Sequence, residues 1–112
     1  MTGVQTCALP ISGLTLSSLC ADGGASRDVF LLQFQSDILH KPVRRPVVRE
    51  TTALGAAYLA GLAVGFWKDT DELKALWQED ARFDPRMDEA HRSRLLAGWH
   101  KAVGRSLDWV EK

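Results

Sequence analysis

DGGASRDVFLLQFQSDIL, residues 22–39, decides how the chain is read, because it sets two adjacent glycines between an apolar extended run and a helix. Upstream, Gly13 to Ala21 alternates Leu14, Leu16, Ser18 and Cys20 against Thr15, Ser17 and Leu19, which predicts a strand. Downstream, Ser26 can cap a helix whose Phe30 or Leu31, Phe34 and Ile38 share one face, with Gln33, Ser36 and Asp37 turned away. Strand, glycine turn and helix form one unit. Glycines at such a junction let the backbone approach a nucleotide, and the helix start offers unpaired N–H groups. A tight turn needing positive φ accounts for the pair equally well, so the local sequence leaves both readings open.

Working outward, His40 to Arg49 carries Pro42 and Pro46 among Val43, Val47 and Val48. Proline cannot donate to a central ladder, so short edge strands or connecting loops are expected. Thr51 or Thr52 then caps a helix through about Phe66, ended by Gly65, with nearly every face apolar or small, the pattern of a buried helix. Asp69, three residues before Glu72, predicts the N-cap of a short amphipathic helix through Leu73, Leu76 and Trp77. After Phe83-Asp84-Pro85, a long helix from Asp88 to about Val110 sets Leu96, Trp99, Val103, Leu107 and Val110 against Arg92, Arg94, Lys101 and Arg105.

The 112 residues, 46% hydrophobic and 25% charged, suit one globular domain and exclude a disordered or collagen-like chain. Fourteen basic side chains balance fourteen acidic ones, so no whole-protein field draws the chain to nucleic acid or an anionic membrane. The basic run Lys41, Arg44, Arg45 and Arg49 lacks interleaved aromatics for base stacking and reads as a solvated edge. Thr51 to Trp67 is uncharged, but it is at the lower limit of length for a membrane span and rich in Ala and Gly. The uncharged N-terminus lacks the basic start of a signal peptide, so a cytoplasmic location is expected.

Cys7 and Cys20 read as free thiols, His40, His91 and His100 as surface or capping residues, and the four tryptophans as core. No phosphate loop, His-Glu-x-x-His motif or nucleophile elbow occurs, so self-contained catalysis has no signature. MTGVQTCALPIS, residues 1–12, has neither helix nor strand period and the character of a translated sequencing adapter. It is expected to be foreign to the domain, which then runs over residues 13–112.

Taken together, DGGASRDVFLLQFQSDIL, RRPVVRETTALGAAYLAGLAVGFW and LLAGWHKAVGRSLDW resemble the C-terminal end of the FGGY carbohydrate kinases, over about Gly13 to Lys112. Other sugar kinases of the family share the Gly-Gly turn and Ala-Leu-Gly-Ala-Ala, whereas the continuation LAGLAVGFW looks like the bacterial glycerol kinase branch. The resemblance implies an α/β fold, the helix-rich last part of an actin-like, ribonuclease H-like ATPase domain. It implies ATP-dependent phosphorylation of glycerol to glycerol 3-phosphate with Mg²⁺, by a full-length enzyme that is a homo-oligomer. Two readings stand beside it: a fragment of another FGGY sugar kinase, and a non-catalytic helical module that binds a protein partner.

By the same resemblance, Gly24 matches a glycine whose backbone lies against the nucleotide, and Asp28 stands where the family has an Asn that contacts it. An ionised Asp only accepts hydrogen bonds and adds negative charge near phosphates, so the departure weakens that contact. The family's phosphate loop, glycerol-binding residues and catalytic Asp lie upstream of anything in this sequence, so the chain is expected to hold no catalytic residue and to be inactive alone. Phe83 to Arg94 matches only poorly the surface that in some members binds a sugar-phosphotransferase regulatory protein, with His91 where a metal-sharing Glu can stand. Alone, the chain is expected to expose apolar surface at Phe34, Ile38 or the Leu62–Trp67 end.

Overall fold

A computed structural model describes residues 15–110, so the expectations for residues 1–12, Cys7 and the first two residues of the predicted strand lie outside the described residues. The elements are β1 (Leu19–Cys20), a 3-10 turn (Gly24–Arg27), α1 (Val29–Leu39), β2 (Val43–Pro46), α2 (Thr51–Ala63), α3 (Thr70–Ala75), β3 (Glu79–Phe83) and α4 (Glu89–Ser106). β1 and β2 run parallel, joined through α1 as a βαβ crossover, and β3 lies antiparallel on the far side of β2. The predicted strand shrinks to two residues.

β2 is therefore the central strand, not an edge or a loop. Val43 is fully buried, opposite Leu19 on one side and Phe83 on the other, and packs with Leu32 of α1. Proline is tolerated because Pro42 precedes the strand and Pro46 closes it, where the register with β3 slips between Arg45 and Pro46. β3 itself was not anticipated, since Glu79, Asp80 and Arg82 hide any apolar alternation. Its pairing is marked by charge: Arg44 meets Glu79, while Arg45 and Arg49 reach Asp80 at 2.8 and 3.3 Å. The basic run is thus a cross-strand partner of β3 and not a free solvated edge.

Two further expectations are corrected in α1. Asp28, not Ser26, is the N-cap, its Oδ1 accepting the Leu31 N–H at 3.1 Å. Ser26 is instead buried in the 3-10 turn and donates to the Gly23 carbonyl at 2.7 Å. The face turned to the sheet carries Leu32, Ser36 and Asp37, while Phe30 and Phe34 stack on the outside with ring centroids 6.2 Å apart. That reverses the amphipathic reading, because the polar residues have specific partners. The Ser36 Oγ lies 2.9 Å from the Lys41 carbonyl and 2.8 Å from that of Phe83, so one hydroxyl ties the end of α1 to β3. The Asp37 Oδ1 accepts from the N–H groups of Arg86 and Met87, at 2.6 and 3.2 Å, and from Gln33 Nε2 at 3.1 Å. Satisfied in this way, both can be buried without the cost of an orphaned polar group.

α2 begins after Glu50, which makes no side-chain cap bond, so neither Thr51 nor Thr52 is the N-cap, and it ends at Ala63 instead of Phe66. Gly65 does stop it, at φ 74, with the Gly65 N–H on the Leu62 carbonyl and the Phe66 N–H on that of Gly61, the paired bonds of a Schellman motif. α3 is capped by Asp69 as expected, and His40 caps α1 in the left-handed region at φ 52. α4 starts after Asp88, whose carboxylate accepts the His91 N–H, and ends at Ser106, short of Val110.

The apolar faces are mostly uncovered. Only Gly61 is buried in α2, beneath the Trp67 ring, and Leu59 is 71% exposed, against the buried helix expected there. Trp77, Trp99 and Trp109 are exposed, so of the tryptophans only Trp67 is half-buried. Among the described residues the buried hydrophobic core is Leu32, Val43 and Phe83. Exposure at Phe34 and Phe66 follows the expectation for this chain alone.

Burial alone would raise the Asp37 carboxyl, but the N–H groups of Arg86 and Met87 and the Gln33 amide outweigh it and hold the carboxyl below the usual carboxylate range. Its stabilising contribution is present above the unfolded pKa, about 3.9, and is lost as pH falls through the lower folded value. Urea midpoints measured from pH 7 to pH 2 should fall for the wild type below about pH 4, while Asp37→Asn starts lower and changes less over that window.

Candidate functional site

In open α/β sheets the ligand crevice lies beyond the carboxyl ends of the parallel strands. Here those ends are Ala21–Gly24 after β1 and Val47–Glu50 after β2. The Gly23 N–H donates to the Arg49 carbonyl at 2.9 Å, and the Thr51 hydroxyl donates to the Asp22 carboxylate, so the two loops lie side by side.

The two glycines differ. Gly23, at φ 77 and ψ −178, occupies a region that essentially only glycine enters. Gly24 lies outside the left-handed region, and a Cβ added there would meet nothing within 4 Å. Neither conformation nor packing in this chain asks for glycine at position 24. Its effect is to leave an exposed stretch of backbone bare toward open space.

Behind the turn stands a charged brace. Arg45, with a side chain 13% exposed, donates from Nη1 to the Ser26 carbonyl at 3.0 Å and meets Asp80 Oδ2 at 2.8 Å. Arg49 reaches that same oxygen. Partial desolvation alone would raise the Asp80 carboxyl, but hydrogen bonds and charge from Arg45, then Arg49, outweigh it and hold it below the usual range. A cleft of about 330 Å³ opens beside the turn, bordered by Asp22, Ala25, Ser26, Leu31 and Gln35.

Sequence reasoning singled out Gly24 and Asp28, and the fold brings them to the two ends of one 3-10 turn. Asp28 is exposed and caps α1 through Oδ1, a task that Asn performs equally well. Arg45, Arg49, Thr51 and Asp80 were missed as supports of the turn. The opposite charges of residues 44–49 and 79–80 were the available signal.

Among the described residues no three His, Cys, Asp or Glu side chains gather to hold a metal ion. No helix among them is long and apolar enough to cross a membrane.

Residues 4–64 match the family model described as the FGGY family of carbohydrate kinases, C-terminal domain. The chain is 63% identical over 99 residues to a glycerol kinase of Dechloromonas aromatica, covering 88% of this chain and 20% of the relative. Against a glycerol kinase of Solidesulfovibrio magneticus it is 55% identical over 108 residues, 96% of this chain and 22% of the relative. The chain thus spans about a fifth of the length of these curated relatives. Among solved structures, the fold matches Plasmodium falciparum glycerol kinase with ADP at a TM-score of 0.77 and 35% identity, over 96% of this chain and 22% of that one. The xylulose kinase of Lactobacillus acidophilus shares the fold at a TM-score of 0.67, over 83% of this chain and 19% of that one.

The glycines separate in a stability measurement. Gly23→Ala should cost about 1–3 kcal/mol of unfolding free energy, because alanine is strained at that backbone conformation. Gly24→Ala should leave the urea midpoint unchanged or slightly raised, since the added methyl meets nothing and the unfolded chain loses freedom.

Proposed function

Because this chain belongs to the FGGY family of carbohydrate kinases, as part of an actin-like α/β domain, we propose that it is the nucleotide-side, C-terminal portion of a cytoplasmic glycerol kinase. In that reading ATP donates its γ-phosphoryl group to a glycerol hydroxyl, leaving ADP and glycerol 3-phosphate. Such transfer proceeds mainly by positioning and charge neutralisation, and this chain's share is to bind and orient the nucleotide. The observation that carries the reading is the bare backbone of Gly24 at the carboxyl end of a parallel pair, where glycine is unexplained by fold alone. Glycerol as acceptor rests on relatives at 55–63% identity that carry that name.

Asp28 would contact the same nucleotide from the far end of the turn. It presents acceptors only, so Asp28→Asn should tighten ADP binding several-fold, read by isothermal titration, with the α1 cap kept. The uncovered faces at Phe30 and Phe34, Leu59 and Phe66, and Trp99 and Val103 are where the remaining four-fifths of such a kinase would pack, the homo-oligomer being formed by the whole enzyme. Although the family match begins at residue 4, we read residues 1–12 as foreign to this domain, so their deletion should leave the melting temperature unchanged.

The direct test is a chimera in which this chain replaces the matching C-terminal fifth of the Dechloromonas aromatica relative. It should phosphorylate glycerol at the expense of ATP. A folded chimera that neither binds nor turns over ATP would overturn the reading of this chain as the nucleotide-side portion.

A further inference from the structure

We propose that Asp80 is a positioning residue for the glycine turn, acting on it through two arginines. This rests on the reading of that turn as nucleotide-facing. Asp80 lies on β3, contributes no atom to the crevice, and would pass as one more surface acid. Its Oδ2 nevertheless receives Arg45 at 2.8 Å and Arg49 at 3.3 Å.

Each arginine then holds a different side of the turn. Arg45 donates to the Ser26 carbonyl at 3.0 Å, bracing the 3-10 turn from behind, and Ser26 in turn donates to the Gly23 carbonyl at 2.7 Å. Arg49 offers its backbone carbonyl to the Gly23 N–H at 2.9 Å. One carboxylate oxygen therefore fixes both the carbonyl and the amide of the residue whose conformation aims Gly24. Arg45 also lies 5.8 Å from the centre of the Phe83 ring, so the brace is footed on the buried core. Guanidinium groups suit this task, because a planar fork can hold a carboxylate and a carbonyl at once, whereas a lysine serves one partner firmly.

The test uses the 112-residue chain, with amide hydrogen exchange read by nuclear magnetic resonance and ADP affinity read by titration. In Asp80→Asn the amides of Gly23 and Ser26 should exchange roughly tenfold faster relative to the Leu32 amide of α1, because the turn opens locally while the core stays closed. ADP should bind several-fold more weakly. Asp80→Glu, which restores a carboxylate, should recover both. Arg45→Lys is a milder second variant, and its effect should be less than additive with Asp80→Asn, as for two members of one network.

Uniform acceleration across Leu32, Val43 and the turn would show that Asp80 only supports the sheet, and unchanged turn exchange would show that it supports nothing there. Either result overturns the proposal. If the turn amides respond selectively but the wild type binds no ADP, the positioning role stands and the nucleotide reading fails.

Discussion

Between Asp22 and Gly24 the chain leaves β1 and turns toward α1, and it does so through a backbone conformation, φ 77 with ψ −178 at Gly23, that other residues reach only at a cost of about 1–3 kcal/mol. Domains hold only about 5–15 kcal/mol in total, so a substitution there draws on a large share of the stability. The rest of the structure is arranged around that reversal. It sets the Gly23 N–H on the Arg49 carbonyl, which brings the loop after β2 alongside. It buries Ser26 and releases Asp28 at the N-cap, from which α1 runs back so that Leu32 meets Val43.

A core of Leu32, Val43 and Phe83 is small, and polar anchors share the task of joining the elements. Ser36 joins α1 to β3, Asp37 holds the residue 86–87 backbone, and the Arg92 guanidinium reaches the Ile38 carbonyl at 2.9 Å from α4. These bonds are directional, so they fix geometry where apolar contact would only favour proximity. The same logic governs the turn, which is held from behind by charge and left open in front. On the proposed reading this backbone meets phosphates, a task best served by one free of side chains and immobile, and Gly24 and the Asp80 brace would supply those two properties separately.

Much of this was legible in the residues. The strand before residue 22, and the glycine turn and helix at 22–39, follow from glycine chemistry and helical spacing, and the Asp69 cap from side-chain geometry. What misled was the assumption that apolar residues face inward. Phe30 and Phe34 turn outward and Ser36 and Asp37 inward, because Ser36 and Asp37 meet carbonyl and amide partners 47 and 49 residues away, which a local pattern does not show. β3 was hidden for a related reason, since its alternation is carried by cross-strand ion pairs and only Phe83 is buried. α2 was read as buried from its composition, which describes a helix that packs on all sides, though among the described residues its one fully buried position is Gly61, beneath Trp67. At the candidate site, Gly24 and Asp28 came from resemblance, and only the fold distinguished the glycine that the turn requires from the one it does not.

Whether the turn at Gly24 faces a nucleotide is decided by an ADP titration of the isotopically labelled chain followed through its amide resonances. Shifts should concentrate at Gly23 to Asp28 and at Arg49 to Thr51, with saturable binding even if the affinity is only about millimolar, near −4 kcal/mol. Shifts confined to the groove formed by Tyr58, Leu73 and Trp77, or none at all while the chain stays folded, would contradict it.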